Sequence, residues 1–465
     1  MSEPEVLVLF GAGVYAKKYK SLLDFLGIEF SFFTDNDKSK WGGFLYGKKI
    51  ITPSDLLKLN CKILISCTHG EAITKQLGEM GIADRVLEME ELCNAFRERI
   101  RTLAYKVLPE TDKARTVIVD MYEGVGWGGT EIWAATVAKG LKKEGYPVFL
   151  FGSEEQKRLD ICYEEFAERF GENDTIQRMV QSMLGKMPFT LINNFAGCAY
   201  LAAVMLKMQY PDKIRILNVI HNDNISLFKA HMVFGEWVDA TLCVSEKIRY
   251  EMLKRYSLNA ERVYFKEQPV DVEADYKPVF SSAGTPLRIG YAARIVRQQK
   301  RADLFPDLIR ELERRRIDYL LEIAGEGECS AGIEAFILEN KLEGKVKLLG
   351  RLPKEKMPDF WKRQDIFLNF SEYEGTSLSM LEAMSYTCVP VVTDVSGVRE
   401  FVKSGENGYI CKVGDLEKIA EAIQELDIHR EYLERFGLLC REEICRRCSI
   451  HKYIAYISHI IEETE

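Results

Sequence analysis

The chain has 465 residues, of which 47% are hydrophobic and 29% are charged, with a formal net charge of −8 and a pI near 5.6. This composition predicts a globular protein of about three domains, and the acidic balance argues against nucleic acid as a partner because nucleic-acid-binding surfaces are basic. No apolar run approaches the ~20 residues of a membrane-spanning helix, and the N-terminus lacks the features of a secretory signal. With twelve scattered cysteines, these features predict reduced thiols and a cytoplasmic location.

Residues 1–100 are predicted to form a small Rossmann-like domain around the motif G-x-G-x-x-A. In this motif Gly11 permits a tight turn, Gly13 lets a phosphate approach the backbone, and Ala16 allows the following helix to pack closely. Asp35 ends the second predicted strand, 22 positions after Gly13, where a carboxylate suits a ribose hydroxyl. The domain is expected either to bind a nucleotide or to act as a scaffold. Because it has a sheet of its own, it is also expected to be separable from the rest of the chain.

The order of motifs in this domain is GAGxxA, then the acidic run 35–37, then a glycine-bearing hairpin over 41–50. This order resembles the N-terminal domain of bacterial sugar acetyltransferases that bind UDP-amino sugars. The acidic run also resembles a D-x-D metal motif, but its place at a Rossmann strand end argues against a metal. An NAD-dependent oxidoreductase is not favoured, since about 100 residues leave no room for a second substrate domain.

Residues 101–112 are predicted to be a linker, and a second αβ unit follows over 113–280. Its first strand leads into a glycine-rich loop that ends in Gly128 and Gly129, where missing side chains let the backbone approach a ligand. Later strands end in the pair 193–194 and in His221, at the sheet edge where open α/β folds place ligands. A lone histidine is usually structural, yet the position of His221 favours a binding role.

A third αβ unit is predicted over 281–440, and its first strand is followed by Arg294 and Lys300. An arginine fork and a lysine point charge at the edge of a sheet can neutralise a diphosphate. The alternative is a solvated basic turn. The spacing also leaves open whether Lys300 or Arg301 is the functional cation.

The run Glu374-Gly-Thr-Ser-Leu-Ser-Met-Leu-Glu382 joins a predicted strand end, a turn containing glycine and a helix N-terminus. Unpaired N–H groups and the helix dipole make such a junction an anion site. The two glutamates can then reach hydroxyl groups on either side of a diphosphate, which is the layout of a sugar nucleotide. The residues expected to bind the donor alongside them are Gly375, Thr376, Ser377, Leu378 and Ser379.

EGTSLSMLEAM over 374–384 resembles the E-x7-E signature of the retaining glycosyltransferases of family 4. The resemblance implies a GT-B fold, two Rossmann-like domains over 113–280 and 281–440, with the helix 441–465 crossing back to the first of them. It further implies that Glu374, Arg294, Lys300 and His221 are catalytic, that Glu382 contacts the ribose, and that no metal or other cofactor is needed. The sequence departs from the family pattern at the residue before Arg294, which is alanine instead of glycine.

Cys440, Cys445, Cys448 and His451 have a spacing that could be drawn as a zinc site. On a predicted helix, however, these side chains spread over about 16 Å of rise and 140° of arc, so one ion cannot collect them. Structural cysteines are therefore expected.

The function predicted from the sequence is transfer of a sugar from a nucleotide diphosphate to an acceptor hydroxyl with retained anomeric configuration. Family frequency favours UDP as the nucleotide. The acceptor is expected to be a glycan, lipid-linked molecule or protein in bacterial cell-envelope synthesis, with the enzyme in the cytoplasm or at the inner membrane face. Peripheral membrane association and homo-oligomerisation are left open. One alternative is a non-catalytic glycosyltransferase-like subunit that binds the acceptor and stabilises a partner enzyme. Another is a phosphorylase of the same architecture, which would require a pyridoxal-binding lysine site that the sequence does not show.

Overall fold

The computed structural model describes residues 5–13, 15–67, 69–103, 115–121, 128–154, 167–171 and 175–463. Within them, three sheets of predominantly parallel strands are each flanked by helices, so the predicted α/β class is confirmed. Most of the predicted linker and the first part of the predicted glycine loop, 124–127, lie outside the described residues.

The N-terminal sheet has the strand order β3-β4-β2-β1-β5 and is parallel except for the short hairpin strand β3. The helix predicted after the glycine motif is present from its first residue, Ala16. The second strand is shorter than predicted, because only its last three residues pair with β1. The elements are β1 Val6–Phe10, α1 Ala16–Leu26, β2 Phe32–Thr34, β3 Phe44–Leu45, β4 Lys48–Ile51, β5 Cys61–Ile65, α2 Gly70–Glu79 and α3 Met89–Arg101.

The middle domain is built on a parallel sheet of seven described strands. Its strand order, β12-β11-β10-β9-β6-β7-β8, places the ends of β6, β9 and β10 side by side at the centre of the sheet. The elements are β6 Thr116–Asp120, α4 Gly129–Lys143, β7 Val148–Ser153, β8 Ala167–Phe170, α5 Thr175–Leu184, β9 Phe189–Asn193, α6 Cys198–Lys207, β10 Ile214–Ile220, α7 Ile225–Met232, β11 Ala240–Cys243, α8 Glu246–Tyr256 and β12 Val263–Phe265.

The C-terminal domain has a parallel sheet of order β15-β14-β13-β16-β17-β18. The order reverses between β13 and β16, and at such a switch point the loops after the strands diverge and leave a crevice. The elements are β13 Leu287–Ala292, α9 Phe305–Arg314, β14 Tyr319–Ala324, α10 Ser330–Glu339, β15 Val346–Gly350, α11 Met357–Trp361, β16 Ile366–Asn369, α12 Leu378–Ser385, β17 Val389–Thr393, β18 Tyr409–Cys411, α13 Leu416–Ile428, α14 Glu431–Arg447 and α15 Ile450–Glu463.

The chain passes between the two larger domains twice, and the two crossings pair with each other. Val270 on the outward crossing donates its N–H to the carbonyl of Cys448 on the return, at 2.9 Å, and forms a bridge with Ser449. The single helix predicted to carry Cys440 to His451 is therefore broken here into α14 and α15. The return crossing begins near residue 449 and not at 441, because α14 still packs on α12 of the C-terminal domain.

After the return, α15 packs against α4 of the middle domain. The indole Nε1 of Trp133 donates to the hydroxyl of Tyr453 at 2.8 Å, and both side chains are about 1% exposed. The C-terminal helix thus lies in the core of the middle domain and supports α4.

The N-terminal domain shares one hydrophobic core with the middle domain, which contradicts the expectation that it is a separable unit. Helix α1 packs on α5 and α6, and the contact is continued by α3, whose Cys93 Sγ lies 3.0 Å from Met208 Sδ. Arg97 Nε donates to Gln209 Oε1 at the rim, at 2.5 Å. Removal of the N-terminal domain would expose the apolar faces of α5 and α6.

The cysteines and the histidine of the last two helices, whose spacing could be drawn as a zinc site, do not form one. Cys440 is buried with its thiol 3.0 Å from the carbonyl of Asn407, whereas Cys445 is exposed. Among the described residues no group of three or more potential ligands could hold a metal ion, and the cysteines are free thiols. None of the described helices is long and apolar enough to span a bilayer.

Candidate functional site

The loop between β16 and α12 carries the E-x7-E motif and lies in the cleft between the two larger domains. Ser377 caps α12, since its side chain accepts a hydrogen bond from the N–H of Met380 at 3.3 Å. This cap begins the helix at Leu378, within the predicted motif. The N-terminus of α12, with the N–H groups of its first turn, is therefore directed to the loop that contains Gly375.

Among the described glycines of the cleft, Gly375 is the one where the C-terminal domain lies closest to the middle domain. A Cβ atom on Gly375 would lie 1.9 Å from the carbonyl oxygen of His221, so only glycine fits. The next residue, Thr376, donates its hydroxyl to the carbonyl of Val244 at 2.9 Å and accepts from the side chain of Gln268 at 2.8 Å. The loop thus bridges the two domains, and the structure brings His221 to the motif as predicted for a shared cleft.

Two helix N-termini face each other across this cleft. Gly128 caps α4, and Gly129 is its first residue. A Cβ atom on Gly129 would lie 3.7 Å from Leu378, the first residue of α12. Because each helix N-terminus carries about half a positive charge, the two together favour an anion between the domains.

Glu374 and Lys300 form an ion pair at the floor of the cleft. The Lys300 ammonium donates to Glu374 Oε1, and the two side chains are 13% and 9% exposed. Ser371 Oγ also lies 2.8 Å from the same carboxylate oxygen. The neighbouring Arg301 points elsewhere and pairs with Glu372 at 2.7 Å. Of the two cations that the spacing left open, Lys300 is therefore the one at the motif.

Gln299 is a site residue that the sequence analysis missed. Its side-chain oxygen accepts a hydrogen bond from Arg294 Nη2 at 2.6 Å, and its backbone carbonyl accepts from the N–H of Glu372 at 2.8 Å. The residue has φ +73°, a left-handed conformation that a non-glycine residue seldom adopts. Gln299 therefore joins the basic loop after β13 to the E-x7-E loop and fixes the direction of Arg294. A polar residue in a basic turn gives no sequence signal for this role.

His221 is held by Asn194, which the sequence placed at the ligand-binding edge of the sheet without assigning it a role. The ring Nε2 lies 2.8 Å from Asn194 Oδ1, while Asn194 Nδ2 donates to the carbonyl of Asp120 at 2.8 Å. Because the amide oxygen only accepts, this contact places the imidazole proton on Nε2. Burial lowers the pKa of His221 to about 3, and the edge of Trp133 covers the ring at 4.9 Å between centroids. The histidine is thus neutral, and Asn194 was recognisable in the sequence only as a polar strand end.

Glu382 is half-buried on α12. It takes no part in the ion pair between Glu374 and Lys300. Burial raises the pKa of Glu382 to about 7, and the positive charge of Lys354 opposes this rise. Ser379, one turn earlier, is half-buried on the same helix. The two glutamates of the motif therefore differ in environment: Glu374 faces a cation, and Glu382 lies in a less compensated site.

The glycine motif of the N-terminal domain forms the tight turn predicted for it. Gly11 has φ +125°, and a Cβ atom there would lie 3.0 Å from Cys67. A Cβ atom on Gly13 would meet nothing within 4 Å, so the space above it is open, and Ala16 is fully buried. The turn is therefore correctly shaped for the close approach of a ligand.

The carboxylate of Asp35, predicted to contact a ribose, already has partners within the domain. It accepts from the N–H of Ala12 at 2.8 Å and from Lys40 at 2.9 Å. These bonds outweigh burial and lower the pKa of Asp35. A ribose hydroxyl would therefore have to share this carboxylate with partners that it already has.

The three-dimensional arrangement is that of the GT-B glycosyltransferases, and the fold expected from the sequence is confirmed. Residues 273–438 match the family model described as glycosyl transferases group 1, and residues 4–87 match the model described as C2185-like, N-terminal. The chain therefore contains a group 1 glycosyltransferase domain that includes the E-x7-E motif. The predicted likeness of the N-terminal domain to sugar acetyltransferases is not confirmed by this match.

Curated relatives of the chain are glycosyltransferases. It is 27% identical over 277 residues to N-acetyl-alpha-D-glucosaminyl L-malate synthase of Bacillus anthracis, a match that covers 56% of the chain and 70% of the relative. It is 24% identical to poly(ribitol-phosphate) alpha-N-acetylglucosaminyltransferase of Staphylococcus aureus, covering 62% of the chain and 64% of the relative. The chain thus spans less than two thirds of the length of the second relative.

A solved structure of Alr3699/HepE from Anabaena, in complex with UDP and glucose, has the same fold. It superposes with a TM-score of 0.63 over 75% of the chain and 99% of its own length, at 13% identity. At this identity the likeness concerns the fold alone.

Proposed function

We propose that this protein is a metal-independent, retaining glycosyltransferase that moves a sugar from a UDP-sugar to an acceptor hydroxyl. The observation that carries the proposal is the convergence of two helix N-termini, of α4 and α12, on one cleft that also contains the ion pair of Lys300 with Glu374, with Arg294 held nearby by Gln299. A diphosphate fits the positive potential of such a cleft, and hydroxyl groups on either side of it fit the two carboxylates.

In the proposed reaction the bond between the anomeric carbon and the diphosphate breaks first, and negative charge grows on the leaving diphosphate. Arg294, Lys300 and the N–H groups over 377–379 would stabilise that charge, the preorganised electrostatic effect that commonly dominates catalysis. These cations supply the charge that a divalent metal would otherwise provide, which is the reason for proposing that none is required. The acceptor hydroxyl then attacks from the same face and gives its proton to the departing diphosphate oxygen, so that the configuration is retained.

The remaining residues would orient the donor. Glu374 would accept hydrogen bonds from the sugar hydroxyls. When the donor is bound, the Lys300 ammonium would pair with the diphosphate instead of with Glu374. Glu382 would receive the ribose hydroxyls. His221, neutral and fixed by Asn194, would contact the sugar, with Gly375 admitting the donor close to the backbone.

UDP-N-acetylglucosamine is the donor we propose to test first, because the names of both curated relatives specify N-acetylglucosaminyl groups and the Anabaena complex holds UDP. The acceptor class we propose is a hydroxyl of a bacterial cell-surface glycan, polysaccharide or protein glycan. We further propose that the reaction takes place in the cytoplasm, at the inner face of the membrane where the acceptor is lipid-linked.

The test is release of the nucleotide diphosphate from a panel of nucleotide sugars in the presence of a panel of hydroxyl acceptors, with and without EDTA, followed by NMR of the anomeric proton of the glycoside formed. We expect release that EDTA does not abolish, and a product with the anomeric configuration of the donor. Glu374→Gln should lose most activity, whereas Glu372→Gln, an exposed neighbour paired with Arg301, is the matched control. No release from any nucleotide sugar would favour the non-catalytic subunit, and strict dependence on added Mg²⁺ or Mn²⁺ would contradict the mechanism.

A further inference from the structure

A lysine of the N-terminal domain reaches into the middle domain close to its proposed active site. Lys18 is on α1, yet its side chain is only 4% exposed, and its ammonium donates to the carbonyl oxygen of Ala196 at 3.1 Å. The ring of Tyr15 lies against the same ammonium at 4.7 Å. Burying an ammonium group is costly unless it is hydrogen-bonded, so this contact across the domain boundary is a built feature of the interface.

The residue that Lys18 holds has a strained backbone. Ala196 is fully buried and has φ +54°, in the left-handed region that residues with a Cβ atom seldom occupy. Its N–H donates to the side-chain oxygen of Asn193 at 3.0 Å, and Asn193 is in turn anchored to Asn218 at 2.7 Å. The turn after β9 is therefore held at one end by Asn193 and at the other by Lys18.

Asn194 lies inside this turn, between the two anchors. Its side chain spans from the carbonyl of Asp120 to the ring of His221, at 2.8 Å on each side. The orientation of Asn194 depends on the conformation of the turn, and the orientation of the His221 ring depends on Asn194. A continuous series of contacts thus leads from Lys18 through Ala196 and Asn194 to His221.

We propose that Lys18 is a positioning residue for His221, so that the N-terminal domain completes the active site of the middle domain. The inference rests on the proposed function for the role of His221 in catalysis. The contacts themselves are independent of that role. In this arrangement the N-terminal domain is more than a scaffold, because one of its side chains determines the geometry at the donor site.

The first test is Lys18→Met, which keeps the length of the side chain and removes the donor. A small shift of a substrate-positioning group can cost up to about a hundredfold in rate, and we expect kcat for UDP release from UDP-N-acetylglucosamine to fall roughly tenfold or more. The KM should change little. Lys18→Arg, which keeps a donor, should retain more activity than Lys18→Met. The control is Lys20→Met on the same helix, whose lysine is exposed and paired with Asp24.

A double-mutant cycle with His221→Ala separates positioning from general destabilisation. If Lys18 acts through His221, the loss caused by Lys18→Met should be largely absent when His221 is already missing, because coupled residues are not additive. An equal fold-loss in both backgrounds would overturn the proposal. Ala196→Gly offers a second route, since glycine adopts φ +54° without strain; it should partly restore kcat to Lys18→Met, and it serves as the folded background if Lys18→Met alone is unstable.

Nitrogen NMR of the histidine rings provides a readout that does not need turnover. In Lys18→Met the ring signals of His221 should move, while those of the exposed His429 and His459 should stay in place. Unchanged His221 signals in a folded variant would overturn the proposal whatever the activity. If the wild-type protein turns over no nucleotide sugar but the His221 signals move, the proposed function fails while the positioning role of Lys18 stands.

Discussion

Gly375→Ala is the sharpest single perturbation of the cleft. The added Cβ atom would lie 1.9 Å from the carbonyl oxygen of His221 and 2.7 Å from Val244 Cγ2. A carbon and a carbonyl oxygen approach each other to about 3.3 Å at closest, so the loop and the β10 end must separate by about 1.4 Å. Because φ at Gly375 is not in the left-handed region, alanine is permitted by the backbone, and the clash is the dominant effect.

The separation can occur in two ways, and each has a measurable consequence. If the domains hold their position, the overpacked site should lose about 1–3 kcal/mol of stability. If the domains open as rigid bodies, stability changes little, but the N-terminus of α12 and Lys300 move away from the middle domain and from the N-terminus of α4. A 1 Å misplacement can reduce turnover about a hundredfold, so we expect kcat for UDP release to fall by that order.

The assays are UDP release and thermal unfolding followed by fluorescence. Gly332→Ala is the matched control, since it adds the same methyl group within α10 where nothing lies within 4 Å. That change should stabilise the protein by about 0.4–1 kcal/mol with no effect on turnover. A Gly375→Ala variant with wild-type kcat and wild-type melting would refute the close approach of the two domains at this residue.

The other expectations concern the ion pair, the return helix, pH and the N-terminal domain. Glu374→Gln should reduce kcat about tenfold to a hundredfold, since a charge-assisted hydrogen bond contributes about 1.5–3 kcal/mol. Wild-type turnover in this variant would exclude Glu374 as a catalytic residue. Tyr453→Phe leaves the buried Trp133 N–H unpaired and should cost about 1–3 kcal/mol in denaturant unfolding, unlike the exposed Tyr250→Phe. The pKa of Glu382 is about 7 in the folded state and 4.5 in its ordinary state, so the free energy of unfolding should fall as the pH rises between these values. The same pH dependence of stability in Glu382→Gln would contradict this. Deletion of residues 1–103 should yield aggregated protein, as light scattering would detect, and a monodisperse product would refute the shared core.

Local sequence patterns were sufficient for the fold class and for the position of the motif loop. The alternation of apolar strands with helices predicted α/β layers. The run that starts at Glu374 predicted a glycine-containing turn followed by a helix N-terminus, because turns and helix starts depend on residues close together in the chain. The helix after the N-terminal glycine motif was placed from its first residue for the same reason. The break between α14 and α15 was missed, because it is caused by the pairing of Val270 with Ser449, which are distant in sequence.

The tertiary structure decided which side chains meet. Spacing could not distinguish Lys300 from Arg301, which point in different directions only once the left-handed backbone at Gln299 and Arg301 is formed. The packing of α1 against α5 was not predicted, because the two helices are far apart in the chain. The sequence therefore determined the three layered units, while only long-range packing determined that Lys18, Asn194 and His221 belong to one series of contacts, since such contacts depend on residues far apart in the chain.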